Sequence, residues 1–300
     1  MNIVKYRYIW YALSLITVGA SVIMFFAFGL KQGIDFTGGS LLSVRYEAER
    51  PLVMDAEQTL APLELGAMVV QPVGETDMNF RMRTLKEDEH QRILALLSES
   101  YGEITELRFD SIGPVIGQEL RSKSMTALVI VFLSILAFIA WTFRHVSISV
   151  ASWKYGLVTV FAAFHDVMIP VGVFTFLGKY YGVEIGTPFI AAILTIMGYS
   201  INDTIVVFDR VRENLQKTSG TFVEIVNNSL NQAIVRSINT TVTTLLALIA
   251  VYLFGGGSIR DFALVLIIGI ATGAYSSVFI ASPLLVTFYK MQQKRKTARS

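Results

Sequence analysis

The sequence predicts an α-helical polytopic membrane protein with six transmembrane helices, plus one extracytoplasmic α+β domain of the ferredoxin-like βαββαβ kind between helices 1 and 2. Three observations lead there. The 300 residues are 53% hydrophobic and only 16% charged, with a mean hydropathy of +0.55, whereas soluble domains carry roughly a quarter charged residues. The apolar residues fall in stretches of spanning length. Between the first and second of these lies a polar segment whose apolar residues alternate as half-buried strands do.

Three spans are uninterrupted: Ile9 to Gly29, Ser124 to Phe143 and Phe262 to Phe288. Three more hold or border polar residues: Tyr155 to Leu177 with His165 and Asp166, Pro188 to Phe208 with Asn202 and Asp203, and Ser237 to Phe254 with Arg236 at its start. A cleavable signal peptide is the alternative for the first, since Lys5 and Arg7 precede it, but its 21 apolar residues exceed the usual h-region of roughly 7 to 15. An uncleaved anchor is therefore expected.

Six crossings put four basic segments on one side: Lys5 and Arg7; Arg144 and Lys154; Arg210, Arg212, Lys217 and Arg236; and the tail Lys290, Lys294, Arg295, Lys296 and Arg299. The opposite short loops hold only Lys179 and Arg260. Because basic loops stay in the cytoplasm, both termini are expected there, in a multi-pass protein. The expected domains are 1–30, the cytoplasmic N-terminus and helix 1; 31–123, the periplasmic domain; 124–289, helices 2 to 6 with a cytoplasmic loop at 209–236; and 290–300, the basic tail.

Residues 31–123 carry 10 Lys and Arg against 16 Asp and Glu, and a segment of that length translocates regardless of charge. Alternation at Leu42, Val44, Tyr46, at Met78, Phe80, Met82 and at Thr105, Leu107, Phe109 marks three strands, with a fourth at Ala67 to Val73. Met54 to Leu65 and Lys86 to Tyr101 read as helices, the second with Thr84 and Glu87 at capping-box spacing and Ile93, Leu94 and Leu97 on one face. The resulting order, βαββαβ, is the split-βαβ arrangement, which hosts many functions. In 209–237, Phe222, Ile225, Val226, Ser229, Leu230 and Ile234 recur at helical spacing. A helix lying on the cytoplasmic face and a helix packed on the bundle are equal alternatives.

Ionisable side chains at membrane depth cost at least about 2.5 kcal/mol, so they face protein or water and mark pathways. Asp166 lies about 16 Å into its helix, near the midplane, and Asp203 about 8 Å from Phe208. Thr195, Tyr199, Asn202 and Asp203 share one helix face, and Arg236, Thr240, Thr243 and Thr244 another; these faces are expected to meet inside the bundle. An aspartate there switches protonation with water access and with a nearby guanidinium, so Asp166 and Asp203 are the leading functional candidates and Arg236 would be a counter-ion rather than a carrier. The structural alternatives are a snorkelling Arg236, a purely hydrogen-bonding Asp203, an Asp166 anchored by His165, and an Asn202 that only joins helices. Gly269, Gly273 and Ser277 form a small-residue packing stripe. The chain has no cysteine, so thiolate metal sites are excluded. Walker, H-E-x-x-H and Gly-x-Gly-Asp patterns are absent, so no enzyme, metal or cofactor is expected. The small net charge of +2 gives no reason to expect nucleic acid.

Gly33-Ile-Asp-Phe-Thr-Gly-Gly39, Gly113-Pro-Val-Ile-Gly-Gln-Glu-Leu120, His165-Asp166-Val167, Gly198-Tyr-Ser-Ile-Asn-Asp-Thr-Ile-Val-Val-Phe-Asp-Arg-Val-Arg-Glu-Asn214 and Tyr252-Leu-Phe-Gly-Gly256 resemble the signature segments of the SecF family, in the resistance-nodulation-division superfamily. The resemblance spans helices 1 to 6. It implies an inner-membrane subunit of bacterial protein export, with SecD, the SecYEG channel, YajC, membrane lipid and a translocating unfolded polypeptide as partners. It makes the six helices one half of a pseudo-symmetric twelve-helix bundle. It links the aspartate and arginine matching Asp203 and Arg236 to proton movement, with Asp166 as a third position; His165, Asn202, Tyr199, Thr240 and Thr244, read from adjacency and helical spacing, are the supporting polar groups. Gly33, Asp35, Gly38, Gly39, Gly113, Pro114 and Gly117 are the family-motif positions. The implied function is use of the proton gradient, without ATP, to drive late translocation. The competing readings are a passive scaffold of the channel complex and a proton-coupled exporter of small amphiphiles.

Overall fold

The computed structural model describes residues 2–142 and 152–297, so Phe143, Arg144 and Arg299 lie outside the described residues. The chain divides into two compact units, one of residues 1–31 and 126–300, the other of residues 32–125.

In the smaller unit, a short helix α2 (Ile34–Thr37) leads into β1 (Gly39–Tyr46), α3 (Val53–Leu60), β2 (Val69–Val73), β3 (Asp77–Met82), α4 (Glu87–Tyr101) and β4 (Ile104–Ile112). The strands form one antiparallel sheet in the order β2-β3-β1-β4. Leu42, Val44 and Tyr46 of β1 and Met78, Phe80 and Met82 of β3 point to the same face as Ala56, Leu60, Ile93 and Leu97 of the helices and form the core. Burying each large apolar side chain contributes about 1.5–3 kcal/mol. Pro72 sits in β2, an edge strand, where its missing N–H leaves no gap in the ladder. Pro62 likewise ends the regular part of α3, which finishes in a 3-10 turn, Ala61–Leu63, short of the expected Leu65.

Two local expectations are corrected. On β4, the pairing steps from Ser43 with Arg108 to Val44 with Glu106, so Leu107 is the extra residue of a β-bulge. The bulge breaks the period of two. Leu107 is turned outward, 44% exposed, while Phe109 stays half-buried and stacks on His90 with ring centroids 3.7 Å apart. At α4, the N-cap is Lys86 rather than Thr84: its N–H donates to Glu89 Oε2 at 2.9 Å, and the Thr84 hydroxyl donates to the Ile112 carbonyl.

Arg83 also reaches Glu89, Nη2 to Oε1 at 2.5 Å. Hydrogen bonds from Arg83 and the Lys86 backbone hold the Glu89 carboxyl down at about 2 against its ordinary 4.5. A depressed carboxyl stabilises the fold above its ordinary value and loses that contribution as pH falls through the depressed one. The first turn of α4 in the full chain is therefore expected to open to hydrogen exchange between about pH 4.5 and 2, and to open already at neutral pH in Glu89→Gln.

In the larger unit, α1 (Arg7–Phe28), α6 (Ser152–Tyr181), α7 (Thr187–Lys217), α8 (Phe222–Phe254) and α9 (Gly257–Ser276) are long apolar helices. A π-helical turn, Ser277–Ala281, joins α9 to α10 (Ser282–Thr297). α5 (Pro114–Thr142) starts ten residues before the expected Ser124, because Pro114 at the first position and the following residues are already helical. Among the described residues, six helices are long and apolar enough to cross a membrane.

The loop expected at 209–236 is corrected to a four-residue connection. α7 runs on to Lys217, and α8 begins at Phe222, where Thr221 and Glu224 cap each other. Phe222, Val226 and Leu230 lie in the bundle core, and Ile225 is buried beside them in sequence. The bundle-packed alternative therefore holds, and no separate surface helix forms.

α9 packs against α6, α7 and α8. Small residues allow the approach: Ile196 lies over Gly269, a Cβ on Gly273 would sit 3.1 Å from Ser200 Cβ, and the Thr204 and Ser277 hydroxyls meet at 2.9 Å. Each partner steps by four, so two helix ridges run together as the glycine stripe predicts. On α6, a Cβ on Gly172 would come within 2.6 Å of Ser21 Cα on α1, so glycine there sets the α1–α6 separation.

Candidate functional site

Asp166 and Asp203 are both buried in the larger unit, 0% and 8% exposed. Asp166 Oδ1 faces His165 Nδ1 at 2.8 Å. Its Oδ2 accepts from Ser276 Oγ at 2.6 Å and, very closely, from Ser200 Oγ. His165 Nε2 continues to Ser14 Oγ at 3.1 Å, Ser14 donates to Tyr275, and Tyr275 donates to the Trp10 carbonyl. Four helices, α1, α6, α7 and α9, thus supply polar groups around one carboxyl. A buried carboxyl without such partners would cost several kcal/mol. Pro170 lies four residues on in α6, so the Asp166 carbonyl lacks its usual helical donor and the helix is loosened at this point.

Asp203 accepts from Ser237 Oγ of α8 at 2.8 Å and hydrogen-bonds Ser277 at the start of the π turn. Thr204 and Ser277 join beside it. The two carboxyls are therefore tied to adjacent residues, Ser276 and Ser277, where α9 changes its winding. π turns widen the helix by one residue per hydrogen-bonded loop and recur at functional sites.

Among the expected site residues, His165, Asp166 and Asp203 turn inward. The two polar faces do not close on each other as expected. Among the described residues, Tyr199 and Thr244 reach across, hydroxyl to hydroxyl at 3.4 Å, and the Arg236 charge acts on Asp203 without forming an ion pair. Thr195, Asn202, Thr240 and Thr243 are exposed on this chain. Residues 202 and 203 are 100° apart around the helix, so burying Asp203 turns Asn202 away. The exposed threonines satisfy their hydroxyls on their own helix, Thr240 on the Arg236 carbonyl and Thr243 on the Asn239 carbonyl.

Arg236, expected as counter-ion, is exposed. It lines a cavity of about 130 Å³ with Asp209, Arg210, Glu213 and Gln232, and the α8 residue on Asp203 is its neighbour Ser237. Arg210 and Lys217 pair with Glu213. The helix of Asp203 also continues past Phe208, so distance from Phe208 does not measure its depth.

Residue typing passed over Ser14, Ser200, Ser237, Ser276, Ser277, Thr204 and Tyr275. Single hydroxyls are common in membrane helices, and nothing in their spacing separates those that bond a carboxyl from those that bond their own backbone. The signals present are Ser277 in the stripe with Gly269 and Gly273, which reads as packing alone, and the place of Ser200 and Thr204 within the Gly198 to Asn214 run.

The motif glycines assemble in the smaller unit. Gly33 accepts from the Phe36 and Thr37 amides and opens α2, which holds Asp35. Gly38 lies at φ +72°, where a Cβ would meet Pro114 Cα at 2.8 Å, and a Cβ on Gly117 would meet Gly38 N at 2.8 Å. The Gly113 carbonyl accepts from Gly117 at 3.0 Å. Arg81 fastens the loop to β3 through Thr37 Oγ1 at 2.6 Å. Two segments far apart in sequence are thus one backbone-to-backbone packing site.

A family model described as "Protein export membrane protein SecD/SecF, C-terminal" matches residues 93–291, and one described as "SecD/SecF GG Motif" matches residues 23–49. Protein translocase subunit SecF of Thermobaculum terrenum is 40% identical over 302 aligned positions, covering 96% of this chain and 94% of that protein. The same subunit of Rickettsia prowazekii is 32% identical, covering 98% and 93%. A crystal structure of SecDF from Thermus thermophilus, described as a translocon-associated membrane protein, superposes with a TM-score of 0.82 at 33% identity. This chain is covered over 97% of its length but spans only 38% of that one. With six apolar helices and this kinship, the protein is a multi-pass protein of the bacterial inner membrane. A match over most of the chain, together with relatives above 30% identity along nearly all of it, places it in the SecD/SecF family of protein-export membrane proteins.

Proposed function

We propose that this chain works with a SecD-type partner to convert proton flow into the late, ATP-independent pulling of an unfolded polypeptide across the inner membrane. Asp203 is the proton carrier in this reading, Asp166 the second carboxyl of its network, and Arg236 the cation at the mouth of the path. Both termini lie in the cytoplasm, and the antiparallel-sheet unit is a ferredoxin-like domain on the periplasmic side that moves against the client. The chain acts beside the SecYEG channel and YajC, without cofactor or metal.

The observation that carries this reading is the split of polar groups on α6, α7 and α8. Two carboxyls are sealed inside a hydroxyl network, while Asn202, Arg236, Thr240 and Thr243 face away from the chain's own core. In hydrocarbon, polar groups need polar neighbours, so a second set of helices is expected to cover this face. The longer SecDF chain, of which this one spans 38%, has room for that half. A path between two halves then runs past Arg236 to Asp203.

The test reconstitutes the chain with its SecD-type partner and the channel in vesicles, lets ATP start translocation, removes ATP and imposes a proton gradient. Completion of translocation that collapses with a proton ionophore is expected. Completion indifferent to the ionophore would favour the passive scaffold.

A further inference from the structure

The adjacent serines at the junction of α9 and the π turn are, among the described residues, the one part of the network that touches both carboxyls. Ser276 has a single O–H and two acceptors in reach, Asp166 Oδ2 at 2.6 Å and the Gly273 carbonyl at 3.1 Å. Ser277 also has a single O–H. It faces Asp203, the Thr204 hydroxyl at 2.9 Å and the same Gly273 carbonyl at 2.9 Å. That carbonyl already takes the Ser277 amide, the last regular bond of α9. A carbonyl oxygen has two lone pairs, so three donors compete for it.

We propose that Ser276 and Ser277 are positioning residues that couple the protonation of Asp166 to that of Asp203, by turning their hydroxyls between the carboxyls and the shared Gly273 carbonyl. An ionised carboxylate draws the serine proton, since charge-assisted bonds are roughly twice as strong as neutral ones. A protonated carboxyl releases it, and the hydroxyl rotates onto Gly273. No bond to hydrogen breaks; only the O–H directions change. The carbonyl then favours one serine at a time. A serine back-bonded to this carbonyl weakens the hydrogen bond it accepts from the Ser277 N–H and bends the helix, so the same exchange sets the winding of Ser277–Ala281. The other titratable groups facing the pair are His165 on α6 and, next to Ser237, Arg236 on α8. Tyr275 on α9 reaches His165 through Ser14. The coupling gives the proposed proton path its second site, and in that sense rests on it.

Infrared titration of the full chain in lipid nanodiscs follows the C=O band of each protonated carboxyl, assigned by its loss in Asp166→Asn or Asp203→Asn. Removing either carboxyl is expected to move the midpoint of the other, partly through the direct charge interaction between them and partly through the two serines. That mutual shift falls by half or more in Ser277→Ala and in Ser276→Ala, and returns in Ser277→Thr. A full-sized shift in both alanine variants, or threonine no better than alanine, overturns the coupling. Two variants guard against one failing to fold. Export that survives Asp203→Asn would overturn the functional reading while leaving this spectroscopic result untouched.

Discussion

Asp203→Asn is expected to stop the gradient-driven phase of export while leaving the protein folded and the ATP-driven phase intact. Asparagine is nearly isosteric and its carbonyl still accepts from Ser237 and Ser277, so the bundle keeps its packing. What it lacks is a proton to take and release. One proton moved through 100 mV contributes about 2.3 kcal/mol, a bias of about 50-fold in a conformational equilibrium. Losing it should slow completion of translocation by an order of magnitude or more. The measurement is the rate at which a stalled polypeptide becomes protease-protected inside vesicles after ATP is removed. A rate equal to that of the unmodified protein would leave Asp203 as a structural group only. Arg236→Ala serves as the companion, since that guanidinium lies outside the hydroxyl network and its loss should disturb proton flow without disturbing the Asp203–Ser237 bond.

Gly38→Ala carries the largest expected effect on folding. Its backbone, φ +72° and ψ 173°, lies where essentially only glycine goes, a conformation that costs other residues about 1–3 kcal/mol. The added Cβ would also sit 2.8 Å from Pro114 Cα and 3.1 Å from Pro114 N. These are backbone atoms and cannot swing aside, so the loop must leave the start of α5. The sum reaches several kcal/mol, a large share of the 5 to 15 or so that hold a domain together. Limited proteolysis and hydrogen exchange of the full chain in detergent should show α2 and the start of β1 unprotected, with α6 to α9 still protected. Gly113→Ala is the contrast. It belongs to the same motif, yet a Cβ there meets nothing within 4 Å, and its stability should change by no more than about 0.5 kcal/mol. If both variants behave alike, the motif is not a packing site.

The sequence alone carried most of the fold, for physical reasons that particular residues show. Spanning helices are legible because hydrocarbon admits only long apolar stretches that satisfy their own backbone. Strand faces at Leu42, Val44, Tyr46 and at Met78, Phe80, Met82 are legible because a pleat buries every second residue. Helix ends were less so. α5 and α8 extend well past their apolar stretches, since a helix continues through polar residues whenever one side of it finds packing. Leu107 faces outward against its alternation because a bulge, set by the pairing with β1, leaves no local mark.

The candidate site divides in the same way. That Asp166 and Asp203 matter follows from composition: an ionisable group in an apolar stretch is costly enough to need a reason. Which groups surround them does not follow. Ser276 and Ser277 lie more than seventy residues from either carboxyl, and only the α7–α9 approach over Gly269 and Gly273 brings them together. The inward turn of Asp203, the outward turn of Asn202 and the seating of Arg236 beside Asp209 and Glu213 are likewise decisions of tertiary packing. A residue's cost of burial is a property of its own side chain. Its partners are fixed only when helices choose a crossing, and that choice depends on surfaces contributed by the whole chain.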